Sequence, residues 1–131
     1  MAPTHHHVIG VAGVGMSAVA QLLQGSGHTV TGSDRFLDQG DRLEVLDQLE
    51  RSGIRLVPQD GSGVSSETAA VVVSTAIEED NPDVVRAREL GVPRVHRAEM
   101  LARLAADRRC VAVAGTAGKS TVTGMVGYIL E

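Results

Sequence analysis

Short apolar runs alternate with stretches of helical spacing along this chain. "HHVIGVA" predicts a first strand. Met16, Val19, Leu22 and Leu23 then share one helical face until Gly25 and Gly27 end it. "HTVTG" is a second strand, rich in β-branched residues, and a loop over 33–40 follows it. Asp41 is placed to cap a helix whose Leu43, Leu46 and Leu49 face inward, with Gly53 closing it. "IRLV" is a short third strand, and "DGSGVSSE" is turn material. "AAVVVSTA" is apolar on both faces and reads as a central strand. In "DNPDVVRARELGVP", Asn81 caps a helix, Pro82 takes its first position and Gly91 falls just past its end. "VPRV" is a fifth strand. "RAEMLARLAADR" is an amphipathic helix with Met100, Leu101, Leu104 and Ala105 on one side. "CVAVAG" is a sixth strand, with a helix starting near Lys119.

Strand–helix alternation of this kind predicts an α/β fold: a Rossmann-like parallel sheet with helices on both faces. Ligands of such sheets bind beyond the carboxyl ends of the strands. The loops expected there are 10–16, 33–34, 74–77, 96–97 and 115–120.

Composition narrows the function classes. Hydrophobic residues make up 43% of 131, enough for a packed core, yet aromatics are only 2%. Val, Leu, Ile and Ala must therefore fill the interior, and the same scarcity argues against single-stranded nucleic acid binding, which leans on stacking platforms. The net charge of −4 leaves no basic footprint for a nucleic acid polymer. Cys110 is the one cysteine, so no internal disulfide is possible, and it reads as a small core residue. No run approaches the eighteen or so apolar residues of a membrane span, and no leader peptide is evident; a cytoplasmic protein without membrane contact is expected. His5, His6 and His7 read as the lead-in to the first strand, because alternate side chains on a strand cannot converge on one ion.

Two glycine-rich turns carry the chemistry. In "GVAGVGMS" the glycines are Gly10, Gly13 and Gly15, with Ala12 where the dinucleotide fingerprint has its second glycine. A tight turn, close backbone approach to a diphosphate and a helix N-terminus aimed at negative charge all survive this change. Asp34 follows at the distance where an acidic residue commonly holds a ribose, which makes a nicotinamide dinucleotide a contender. The second turn, "GTAGKST", lacks the opening glycine of the full P-loop, since Val113 stands there. It still offers backbone N–H groups, Lys119 for the β- and γ-phosphates and Ser120 for Mg²⁺.

"HHVIGVAGVGMSAVAQLL", "GSD", "STAIEEDNPDVVRARELGVP", "HRAEMLARL" and "VAVAGTAGKSTVTG" together resemble, in order and spacing, the N-terminal part of the Mur ligases. Within that family the alanine-adding branch is the nearest, and 35–68 is the least similar segment. The resemblance implies a cytoplasmic enzyme of peptidoglycan synthesis in which one domain binds a UDP-sugar, a second binds ATP and a third binds the amino acid. ATP would phosphorylate the lactyl carboxylate of UDP-N-acetylmuramate. The amino group of L-alanine would then displace phosphate to form the amide. Carried over position by position, Gly13, Val14, Gly15, Met16 and Ser17 match the diphosphate turn. Asp34, Ser74, His96 and Arg97 match further UDP-sugar positions, with Arg97 the preferred phosphate partner. Gly115, Thr116, Gly118, Lys119, Ser120 and Thr121 match the ATP loop, with Lys119 in the catalytic role and Ser120 on the metal.

Two positions depart from the family: Ala12 replaces a glycine, and Ala117 replaces a polar residue, usually histidine. By this reading 1–108 is a UDP-sugar-binding domain, and 109–131 is the first strand, P-loop and helix of a truncated ATP domain. ATP and Mg then belong to the longer parent, and the isolated chain is inactive as a ligase. Its last segment could pair two copies into a homodimer. A NAD-binding oxidoreductase domain and a free-standing nucleotide-binding regulatory module are the competing readings.

Overall fold

A computed structural model describes residues 4–41 and 43–106. The expected sixth strand, Cys110, the glycine turn at 115–120 and the segment proposed to pair copies lie outside them. The chain order is β1 (His5–Ile9), α1 (Val14–Gly25), β2 (Thr29–Ser33), α2 (Arg35–Asp38), α3 (Glu44–Arg51), β3 (Arg55–Leu56), β4 (Thr68–Val73), α4 (Pro82–Leu90), β5 (Arg94–His96) and α5 (Arg97–Ala105). The five strands form one parallel sheet in the order β3-β2-β1-β4-β5. The chain walks outward from β1 to β3, then returns to the other side of β1. That reversal parts the loops after β1 and β4, and the parting is where an open α/β sheet makes its crevice.

Neighbouring strand residues point to opposite faces, and the two faces differ. Val8, Val30, Val72 and Val95 meet Met16, Leu23, Leu46, Leu49 and Met100 from α1, α3 and α5. Ile9 and Val71 meet Val84, Ala87 and Val92 around α4 on the other side. Helices therefore cover both faces, as the alternation predicts. β1 itself, rather than β4, is the middle strand; β4 is interior but lies one place from the edge.

Several local expectations shift. The segment 33–40 is not all loop, because Asp34 accepts from the N–H of Phe36 and nucleates α2. Asp41 does not cap α3. Its N–H donates to the Phe36 carbonyl, and Leu43 takes the cap position with a side chain 37% exposed. Leu22 and Leu101 also lie outside the core at 36% and 48% exposure, because α1 and α5 bury narrower stripes than their leucine spacing suggests. α4 keeps its predicted punctuation: the Asn81 side chain accepts from the Asp83 N–H, Pro82 opens the helix, and Gly91 closes it at φ 72°.

Gly32 is the tightest point of the apolar side. A Cβ there would fall 2.9 Å from Val11 Cβ and from both of its methyls. Val11 is fully buried beneath the first glycine turn. Gly25, by contrast, has nothing within 4 Å of such an atom. Gly32→Ala should therefore lower stability by about 1–3 kcal/mol through overpacking. Gly25→Ala should raise it by about 0.4–1 kcal/mol through reduced unfolded-state freedom. Urea midpoints of the two variants are expected to move in opposite directions.

Candidate active-site crevice

The first glycine turn begins where β1 ends. Gly10 takes φ 75°, a conformation open to glycine, and this turns two successive amides toward one acceptor. The N–H groups of Gly10 and Val11 both donate to the Ser33 carbonyl, at 2.8 and 3.0 Å. Gly13 donates to the Gly10 carbonyl at 3.1 Å and caps α1 without any side-chain help. Val14, Gly15 and Met16 follow, and among the described residues nothing accepts from their N–H groups. Uncapped amides at a helix N-terminus form an anion site in waiting.

Beside this turn lies an open crevice of about 550 Å³. Gly10, Gly13 and Met16 line it together with Ser74, Ala76 and Ile77, with Arg35, Phe36 and Gln59, and with the acidic side chains Glu78 and Asp80. A volume in this range suits a nucleotide-sized ligand. Gly10 allows a close approach to Ile77, since a Cβ on it would sit 3.2 Å from Ile77 Cδ1.

The positions expected from sequence fall into three groups. Gly13, Met16, Asp34 and Ser74 line the crevice. Val14 stands at the tip of the turn, 90% exposed, and Gly15 faces away toward Arg97. A Cβ on Gly15 would meet Arg97 Nη1 at 2.6 Å, so the guanidinium covers the back of the same helix start. His96 caps α5, its Nδ1 accepting from the Ala98 N–H at 3.1 Å, and is not among the crevice-lining residues. Ser17 is buried, and its hydroxyl donates to the Val14 carbonyl at 3.0 Å. Gly115, Thr116, Gly118, Lys119, Ser120 and Thr121 lie outside the described residues. Ala12 turns its methyl to the apolar core, where it packs beside the buried cluster. It does not line the crevice, so the departure from glycine leaves that space clear.

Asp34 is chiefly a clamp on the backbone. One oxygen accepts from the Ala12 N–H at 3.0 Å, the other from the Phe36 N–H at 2.9 Å. It ties the first glycine turn to the start of α2.

Sequence reasoning missed the buried polar lattice behind the crevice. His5 and His7 lie on the α4 face of β1 and share Thr31, at 2.8 and 2.7 Å. His7 Nε2 donates to Asp83 Oδ2 at 2.9 Å. Ser33 donates to the same oxygen at 2.5 Å, and the Gly61 N–H donates to Oδ1 at 2.8 Å. Gly63 leaves room for the His7 ring where no Cβ would fit. Burial alone would raise the Asp83 carboxyl, but hydrogen bonds from His7 and Ser33, the His7 charge and the Gly61 amide outweigh it. The net shift is downward. On the other face, His6 packs edge-on against His28 at 4.9 Å. Among the described residues no group of three side chains is arranged to hold a metal ion, and no helix is long and apolar enough to cross a membrane.

Strand order and a glycine turn opening at the reversal point define a doubly wound α/β domain with an open crevice at that point. Residues 5–109 match the family model described as "Mur ligase family, catalytic domain". The chain belongs to the Mur ligase family. It is 40% identical over 95% of its length to UDP-N-acetylmuramate–L-alanine ligase of Carboxydothermus hydrogenoformans, and 45% identical over 95% to that of Methylorubrum populi. In each case it spans only 26% of the relative. Among solved structures it resembles UDP-N-acetylmuramate-alanine ligase MurC of Thermotoga maritima, with TM-score 0.81 and 32% identity over 96% of this chain and 29% of that one. A murein peptide ligase of Psychrobacter arcticus matches with TM-score 0.81 and 31% identity, over 97% of this chain and 26% of that one.

The imidazoles of His5 and His6, half-buried and buried, set the acid limit of the fold. Burial first, and then like charge from His7, lower the His5 value; burial and then His28 lower that of His6. Unfolding frees these rings to bind protons, so stability falls as pH drops below about 6.5. The depressed Asp83 contributes stability above about 3.9, lost as pH falls through its lower folded value. Urea midpoints should be level between pH 8 and 7 and decline toward pH 5. A midpoint that rises over that interval contradicts this account.

Proposed function

We propose that this chain is the UDP-sugar-binding part of an ATP-dependent ligase that adds L-alanine to UDP-N-acetylmuramate in peptidoglycan synthesis. Residues 1–108 form the sugar-nucleotide domain, and 109–131 begin the ATP unit, with Gly115, Thr116, Gly118, Lys119, Ser120 and Thr121 as its phosphate loop. The observation that carries this reading is the set of unsatisfied amides at Val14, Gly15 and Met16 beside an open crevice, with Arg97 behind them. Two phosphates of a UDP-sugar suit that set. The helix start supplies fixed dipoles, and Arg97 supplies a cation packed against the same helix start. The relatives at 40 and 45% identity are UDP-N-acetylmuramate–L-alanine ligases, which supports this choice of ligand.

Holding the diphosphate this way is a positioning role. It would present the sugar's carboxylate to whatever activates it, and gains in rate come from that orientation. ATP and Mg²⁺ would supply the activated acyl phosphate in the longer parent; the described residues contribute binding and alignment. The dinucleotide reading draws on Asp34, whose two oxygens are already engaged by backbone N–H groups. It leaves "GTAGKST" without a role.

Titration calorimetry of the whole 131-residue chain with UDP-N-acetylmuramate, NADH and Mg-ATP separates the readings. Binding of the UDP-sugar in preference to NADH is expected, and the reverse order overturns the proposal. Arg97→Ala should weaken UDP-N-acetylmuramate by about tenfold, the scale of one hydrogen bond to a charged group. It should leave the unfolding midpoint in place, because the side chain is exposed.

A further inference from the structure

The polar lattice fixes the direction of one side chain in the crevice. A carboxylate only accepts hydrogen bonds, so the Ser33 hydroxyl must direct its single proton to Asp83. The Ser33 oxygen can then only accept. Gln59 Nε2 lies 3.3 Å from it and is the donor. The two ends of a glutamine amide are interchangeable by shape alone, and here the neighbouring network decides between them. The Gln59 backbone is held as well, its N–H shared between the two Asp38 oxygens at 3.2 and 3.1 Å. Oε1 is left as the free end, with no donor to it among the described residues. Gln59 lines the crevice beside Arg35 and Phe36, and that ring is 37% exposed.

We propose that Gln59 Oε1 is the acceptor that reads an N–H donor on the edge of the ligand's base, with Ser33 and Asp83 as positioning residues that keep the amide from turning over. This rests on the UDP-sugar reading. With the diphosphate on the amides after Gly13, this proposal seats the base against Phe36 and Gln59, which line the same crevice and offer it an aromatic ring and a fixed acceptor. Uracil presents an imide N–H at N3. Cytosine presents a bare nitrogen there, and its approach to Oε1 sets two acceptors against each other. A site with a committed acceptor rejects such an analogue by leaving its own polar atom unpaired.

The test is calorimetric titration of the whole chain with UDP-N-acetylmuramate, UDP, CDP and UDP methylated at N3. UDP is expected to bind about tenfold more tightly than CDP or the methylated analogue, the value of one good hydrogen bond. Gln59→Leu should bring the three within about threefold of one another, with most of the change a loss of UDP affinity. Ser33→Ala should narrow the same ratio, an effect that a purely structural role for Ser33 does not produce, since it would weaken all three alike. Equal binding of UDP and its methylated form by the unaltered chain overturns the inference and leaves the UDP-sugar reading standing. An unchanged ratio in a folded Gln59→Leu overturns it as well. Failure to bind any uridine compound overturns the reading and the inference together. The methylated ligand needs no variant, so the outcome does not depend on whether either substitution folds.

Discussion

Everything at the carboxyl edge of the sheet depends on the Ser33 carbonyl receiving two amides from the turn after β1. The arrangement demands a left-handed residue at position 10, and Gly10 supplies it. Once Gly10 and Val11 are pinned to β2, the chain can turn upward and start α1 with its first amides free. Val11 drops into the space that Gly32 leaves, which locks the base of the turn against the neighbouring strand. Asp34 adds a second tie, from Ala12 to the start of α2. The geometry needed to hold an anion is thus produced by contacts that involve no ligand at all, which is preorganisation in the plain sense.

The same residue joins that turn to the opposite layer. Through its hydroxyl, Ser33 meets Asp83, which also holds His7 and the 57–67 loop at Gly61. One face of the sheet is sealed mainly by aliphatic packing, with the His6–His28 ring contact beside it. The α4 face mixes aliphatic contacts with a chain of hydrogen bonds running from Thr68 through His5, Thr31 and His7 to Asp83. Each member of that chain has a partner, and no buried side-chain atom among the described residues lacks one. A fully satisfied network of this kind adds rigidity where an apolar layer would allow sliding. Rigidity is useful here because the crevice walls belong to three different connections.

Much of this architecture was legible in the residues. Alternating runs gave the parallel sheet and its two-sided cover, and Asn81, Pro82 and Gly91 marked the ends of α4 because capping is local chemistry. The glycine turn was visible for the same reason: left-handed backbone and close approach require glycine at defined spacings. What escaped was non-local. Leu43 and Leu101 have the spacing of core residues, but burial depends on where the helix axis settles against its neighbours. Asp34 was read as a ligand-binding residue from its place after the second strand; spacing alone did not reveal that its oxygens also tie Ala12 to Phe36. His7 looked like part of an uninformative triplet. Its partner is seventy-six residues away, and only the alternation of His5 and His7 onto one face hinted at it. Phe36 and Gln59 sit in the least family-like segment, where no motif drew notice, though the chain's one phenylalanine just after the second strand was a signal available in retrospect.

The His7–Asp83 pair also constrains how this sequence can drift over generations. Losing Asp83 alone leaves a buried imidazole N–H with no acceptor, and losing His7 alone leaves the buried carboxylate with only Ser33 and Gly61 as donors, each at a cost of about 1–3 kcal/mol, a sizeable share of what a domain this size has in reserve. Two apolar residues of matching bulk would be tolerated far better, yet each route to them crosses a crippled intermediate. Descendants of this chain should therefore retain both residues or replace both, and a lineage carrying just one of them would need a compensating change nearby.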